Sequence, residues 1–107
     1  MANRQLTTAF VLLVTALAAC TSTEERYATA EQLADQGFYE DAASEYIRVL
    51  NDDQSFPGAR EGLARAGGMA VDEYVGYARE SADREDYAEA SQTLDLVDQL
   101  RARARAV

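Results

Sequence analysis

The side chains able to do chemistry in this 107-residue chain are few, and their spacing narrows what they can do. Cys20 is the only cysteine, and there is no histidine and no lysine; all ten basic residues are arginine. One cysteine excludes an internal disulfide. Without histidine, the usual zinc, copper and haem ligand sets are missing. Paired carboxylates, the raw material of acid–base catalysis, occur at Glu24-Glu25 and Asp52-Asp53. The first pair falls at a predicted helix start and the second at a turn, where acids cap helices or stay solvated. Asn51-Asp52-Asp53 offers oxygen ligands but lacks the spacing of an EF-hand calcium loop. Gly67-Gly68 is not followed by the Lys-Ser/Thr of a phosphate loop. The expectation is a protein that is not an enzyme and holds no metal and no dissociable cofactor.

The bulk composition narrows the partners. The formal net charge is -9, the hydrophobic fraction 48% and the isoelectric point near 4.3. Phosphate binding needs a basic surface, so nucleic acid is not an expected partner. The same acidity removes any electrostatic attraction to anionic lipid. The length suits one domain.

The N-terminus reads as an address. Met1 to Gln5 is short and polar with one positive charge, Arg4, and Leu6 to Ala19 is apolar apart from three threonines. That run is about 14 residues, whereas a bilayer-spanning helix needs about 20. A charged start, an apolar middle and small residues before a cut describe an exported chain. Residues 1–19 are therefore the expected signal peptide, with cleavage between Ala19 and Cys20.

Leu17-Ala18-Ala19-Cys20 resembles the lipobox of bacterial lipoproteins. The resemblance covers residues 1–20. It implies that Cys20 carries a diacylglyceryl thioether, that cleavage falls just before it, and that the new N-terminus is often acylated. Two acyl chains give stable anchoring, at ~0.8 kcal/mol per buried methylene. The residue after the cysteine is Thr21 rather than Asp, which by similarity to the enteric sorting rule implies the outer membrane where the cell has one. The mature chain would carry nine arginines against nineteen acids, a formal charge of -10. Residues 20–24 are the lipidated cysteine and a short linker, Thr21-Ser22-Thr23-Glu24, which reaches about 15 Å at roughly 3.5 Å per extended residue. The domain of residues 25–105 would then sit close to the bilayer.

Four helices are predicted to make up that domain. Ser22-x-x-Glu25 fits a capping box at the start of the first, and Gly37 suits the left-handed position that ends it. Tyr39, Ala42, Ala43, Tyr46, Ile47 and Leu50 form one stripe of a helix from about Tyr39 to Leu50. Pro57 is expected in the first turn of the third helix, where a missing N–H costs nothing. That helix is expected to be long, about Gly58 to Ala82, although Gly62, Gly67, Gly68 and Gly76 each cost about 1 kcal/mol relative to alanine. A break at Gly67-Gly68 is the alternative. Asp86-x-x-Glu89 is a second capping box, and Arg101, Arg103 and Arg105 crowd the last turns, where cations suit the helix dipole.

Two stretches repeat. Gln36-Gly37-Phe38-Tyr39-Glu40-Asp41-Ala42 and Arg84-Glu85-Asp86-Tyr87-Ala88-Glu89-Ala90 both place an alanine three residues after a tyrosine. Tyr46 and Leu94 follow four residues after those alanines. The pattern resembles the tetratricopeptide repeat, with Gly37, Tyr39, Ala42 and Tyr46 matching in one copy and Tyr74, Ala78, Tyr87, Ala90 and Leu94 in the other. The resemblance implies an all-α stack of antiparallel hairpins, with Ala30 against Ala42, Ala78 against Ala90, and the large downstream residue filling the space between hairpins. The copies lie 48 residues apart, whereas the family period is 34. The excess of about four helical turns is why the third helix is extended. Alanine-rich hairpins in a generic four-helix arrangement imitate part of this pattern.

Repeats of this kind usually need three or more units, and here there are barely two. An apolar face is therefore expected to await a partner or a second copy, formed from some of Tyr27, Tyr46, Tyr74 and Tyr77. Tyrosine combines large area, a polar tip and low entropy cost. Tyr39 and Tyr87, by contrast, are expected to pack within their hairpins. The functional expectation is a membrane-anchored adaptor or scaffold that binds another envelope protein, touching the bilayer only through its acyl anchor. The alternative is a structural subunit of an envelope assembly complex. Tyr-x-x-Ala followed by Gly-x-Tyr-x-x-Ala-x-x-x-Tyr is similar to the opening of the repeat lipoprotein of outer-membrane β-barrel assembly complexes.

Overall fold

Short-range chemistry sets where each helix begins and ends. The computed structural model describes residues 21–107; the expected signal peptide, the Ala19–Cys20 cut and the anchor Cys20 lie outside the described residues. Four helices are present: α1 (Thr23–Asp35), α2 (Tyr39–Asp52), α3 (Ala59–Asp83) and α4 (Tyr87–Arg105), with no strand among the described residues. Ser22 caps α1 by accepting the Glu25 N–H at 3.1 Å, and Asp86 caps α4 by accepting the Glu89 N–H at 3.1 Å. α2 has no side-chain cap, but Glu40 and Asp41 in its first turn complement the helix dipole.

The joint before α3 differs from expectation. Pro57 lies in the turn ahead of the helix, not inside its first turn. Gly58 intervenes as the N-cap with a left-handed φ of 82°, a conformation glycine reaches without steric cost. α3 then runs 25 residues through Gly67-Gly68 without a break, as expected. Ala59, Gly62, Leu63, Ala66 and Ala70 are buried along one stripe, so tertiary packing offsets the poor helix propensity of the glycines.

The two hairpin turns have the same geometry, 48 residues apart. Gly37 N–H donates to Ala34 and Phe38 N–H to Leu33; Glu85 N–H donates to Ala82 and Asp86 N–H to Ser81. The left-handed residue is Gly37 (φ 83°) in one turn and Glu85 (φ 63°) in the other. A residue with a Cβ pays about 1–2 kcal/mol for that conformation.

Each helix packs on the next in the chain, and α1 also touches α3. The main core lies between α1, α2 and the first half of α3, where Tyr46, Val49 and Leu50 are fully buried. Tyr27 meets Tyr46 edge-on at 5.9 Å between ring centroids and Phe56 at 5.0 Å. The outer half of the second hairpin has a thinner core of Ala78, Ser81, Ala90, Thr93 and Val97. At 1.5 Å per residue α3 is about 37 Å long and α2 about 21 Å. The Tyr74 hydroxyl donates to Glu40, in the first turn of α2. Beyond Tyr74, therefore, α3 and the stretch of α4 paired with it project past α2.

Candidate partner-binding surface

The four tyrosines expected to meet a partner divide into two pairs. Tyr46 is fully buried, and its hydroxyl donates to Glu31 at 2.6 Å. Burial, and then that carboxylate, push its phenol well above the ordinary value. Tyr27 is half-buried, and the nearby Glu31 carboxylate raises its phenol. The bond from Tyr46 holds the Glu31 carboxyl below the usual range, and Arg65 lies 3.9 Å away. Tyr27 and Tyr46 thus clamp α1 to the rest of the core, and Tyr46 has no surface left to offer.

Tyr74 and Tyr77 lie at the step where α3 leaves α2. Tyr74 is half-buried, with its phenol pushed up to about 12 by burial and then by Glu40. Tyr77 is 46% exposed. Its hydroxyl donates to Glu89 of α4, which raises the phenol and lowers the Glu89 carboxyl. Ser81 Oγ also donates to Glu89 at 3.2 Å, and Arg84 pairs with it at 3.5 Å. Glu89 therefore ties the two helices of the projecting hairpin together while the Tyr77 ring stays open to solvent.

Other large apolar side chains are exposed that the sequence reading did not single out: Phe38, Met69 and Leu96. Tyr87, expected to pack at its turn, is 67% exposed. Leu94, expected to fill the space between hairpins as Tyr46 does, is 46% exposed because no further hairpin among the described residues covers it. The signal was present in Leu94-Asp95-Leu96-Val97. The buried stripe of α4 is Ala90, Thr93, Val97 and Leu100, so Leu94 and Leu96 fall off it on opposite sides.

By helical register Leu96 shares a side of α4 with Arg103, two turns on, whose guanidinium donates to Ser44 of α2 at 3.3 Å. Leu96, Tyr74 and Tyr77 accordingly face the same side as α2, and Phe38 precedes the first turn of α2 below them. This inner step is apolar with an acidic rim, Glu40 and Glu89. Two concavities complete the surface. A cleft of about 240 Å³ between α1 and α3 is bordered by Glu31, Asp35, Tyr39, Arg65 and Met69. A more apolar groove of about 470 Å³ lies between α3 and α4.

Among the described residues no cluster of acids and cysteine is grouped to hold a metal ion, and no described helix is long and apolar enough to cross a membrane. No family model, curated protein or solved structure matches the chain.

Proposed function

We propose that this chain is a bacterial lipoprotein, anchored by acyl chains on Cys20, whose tetratricopeptide-like helical hairpins bind another protein of the cell envelope. The anchor rests on the Leu17-Ala18-Ala19-Cys20 resemblance and the short apolar run before it. The repeat-like reading is supported by the twin turns 48 residues apart and by helices that pack in chain order. The outer membrane is the favoured location in a cell that has one, from Thr21.

The observation that carries the binding role is the projecting hairpin with its inner step of Phe38, Tyr74, Tyr77 and Leu96. Side chains of this size contribute about 1.5–3 kcal/mol each when fully buried. The hydroxyls aside, the exposed parts of the two tyrosine rings and of Phe38 and Leu96 gain nothing from the chain's own packing. The acidic rim favours a partner segment with an apolar stripe flanked by arginine or lysine. The net charge of the chain would also steer such a segment to it.

The test is affinity purification of the full-length protein from its own membranes, with and without Tyr77→Ser and Leu96→Ser together. Both side chains are substantially exposed, and because Tyr77→Ser also removes the bond to Glu89, circular dichroism of the variant checks that the hairpin keeps its helix content. The parent should bring down one stoichiometric partner that the variant loses. Recovery of the same proteins by parent and variant would sink the assignment of this surface.

A further inference from the structure

The opposite side of the second hairpin points to a different partner. We propose that the outer face of α3 and α4 is a self-association surface, on which a second copy of this chain seats the same face about a two-fold axis. The internal repeat shows what this face is built to accept. In the first hairpin Tyr46 is covered by α3, which brings Gly62 against its ring. Leu94 stands 48 residues after Tyr46, at the matching position of the second hairpin, and is 46% exposed where Tyr46 is 0%. The helix-accepting side of one hairpin is filled, and that of the other is open.

The groove of about 470 Å³ continues this side along the hairpin. Ala64, Gly67 and Gly68 face Leu100 across it, with Leu63 and Val71 as flanks. Gly68 and its helix neighbour Asp72 lie about half a turn around α3 from Ala66 and Ala70, which are buried in the main core. A methyl group on Gly68 would meet nothing within 4 Å. The missing side chain therefore serves no packing inside the chain. It leaves room for a second backbone to approach closely.

Charge decides between a second copy and a foreign helix. Asp72 and Arg101 both border the groove, one on each helix, and neither makes an ion pair among the described residues. A two-fold axis across the groove sets Asp72 of each copy against Arg101 of the other, so symmetry satisfies both charges at once. An acidic foreign helix would meet Arg101 but oppose Asp72, and a basic one would do the reverse. The groove border also carries Arg60, whose guanidinium donates to a Val107 oxygen at 3.0 Å, so the groove itself is not acidic in a chain with a net charge of -9. This is a side on which two acidic copies can approach without strong repulsion. It lies across the hairpin from Tyr77 and Leu96 and leaves the inner step free.

The experiment is sedimentation equilibrium of the full-length chain in density-matched detergent over a range of protein-to-detergent ratios. The parent should self-associate to a dimer. Asp72→Arg sets like charges together and should weaken association by about tenfold or more. The exchange Asp72→Arg with Arg101→Asp should restore it to within a few-fold of the parent. Gly68→Ala fills the floor and should also weaken the dimer, while its thermal midpoint stays at or above that of the parent. That separates a blocked surface from a damaged fold. A parent that is monomeric throughout, a single charge reversal without effect, or an exchange that fails to restore association would each overturn the proposal. So would capture of a different protein by the groove of a monomeric parent.

Discussion

Gly62→Ala should destabilise the protein although alanine is the better helix former. A methyl group built on Gly62 overlaps the Tyr46 ring, with the hydroxyl oxygen 2.8 Å away. Restoring ordinary contact at 3.4 Å would need the ring to retreat by about 1 Å. Tyr46 has nowhere to go. It is fully buried, meets Tyr27 at 5.9 Å and is tied to Glu31 at 2.6 Å. Overpacking of a filled core costs about 1–3 kcal/mol, and stretching a hydrogen bond to a charged group adds about 1 kcal/mol. Alanine returns about 1 kcal/mol of helix propensity. The net loss is about 2 kcal/mol, or roughly 10 °C in thermal midpoint for a domain of this size. Gly76→Ala is the matched control in the same helix. A methyl there meets nothing within 4 Å, so only the propensity gain remains and the midpoint should rise by about 5 °C. Thermal and urea unfolding followed by circular dichroism would measure both. A Gly62→Ala protein as stable as the parent, alongside a stabilised Gly76→Ala, would refute the close approach of α3 to Tyr46.

Four further outcomes are expected. Glu85→Gly should stabilise the second turn by about 1 kcal/mol, because Glu85 holds a left-handed φ of 63° where its counterpart is Gly37; urea midpoints would show it. Glu31 has a lowered folded value, so its contribution is present above about pH 4.5 and is lost as pH falls through that folded value. Glu31→Gln should therefore flatten the acid limb of thermal stability below about pH 4.5, and an unchanged slope would count against the clamp. At the other extreme Tyr74 is raised to about 12, so its share of stability is complete below pH 10 and fades as pH climbs toward 12; Tyr74→Phe should therefore be less stable than the parent at neutral pH and lose less stability between pH 10 and 12, read by far-ultraviolet dichroism. Cys20→Ser should leave the signal peptide attached and the protein without acyl chains, which intact-mass spectrometry tests directly.

What could be read from the sequence was what is local in the chain. Ser22 and Asp86 cap their helices because a short polar side chain three residues from a free N–H is enough, whatever lies around it. The stripe from Tyr39 to Leu50 is legible because its period matches one helical face buried against two neighbours. The continuity of α3 followed from the 48-residue spacing and not from propensity, which its glycines argue against. Tertiary facts stayed out of reach. Tyr46 and Tyr77 occupy equally regular helical positions, yet one is sealed in the core and the other is half open. The difference is that α2 reaches only as far as Tyr74 along α3, and helix lengths emerge from packing. Pro57 was displaced from its expected place for a similar reason: bringing α3 against Tyr46 took a left-handed residue at Gly58 that shifts the helix start by one position.

The same inequality of helix length makes stability uneven along the molecule. The base of the stack buries Tyr46, Val49, Leu50, Leu63 and Leu100. The projecting hairpin buries mainly alanine, serine, threonine and one valine. Apolar burial contributes roughly in proportion to area, so the projecting part gains far less from packing for each residue it orders. It relies instead on polar ties, in which Glu89 accepts from Tyr77 and Ser81 and pairs with Arg84. Exposed ties of this kind are screened by solvent and contribute little. A region ordered by weak ties and bearing exposed tyrosine and leucine has the most to gain when something covers it. Apolar area buried there by a partner would therefore also hold the hairpin together, to the extent set by the affinity it supplies.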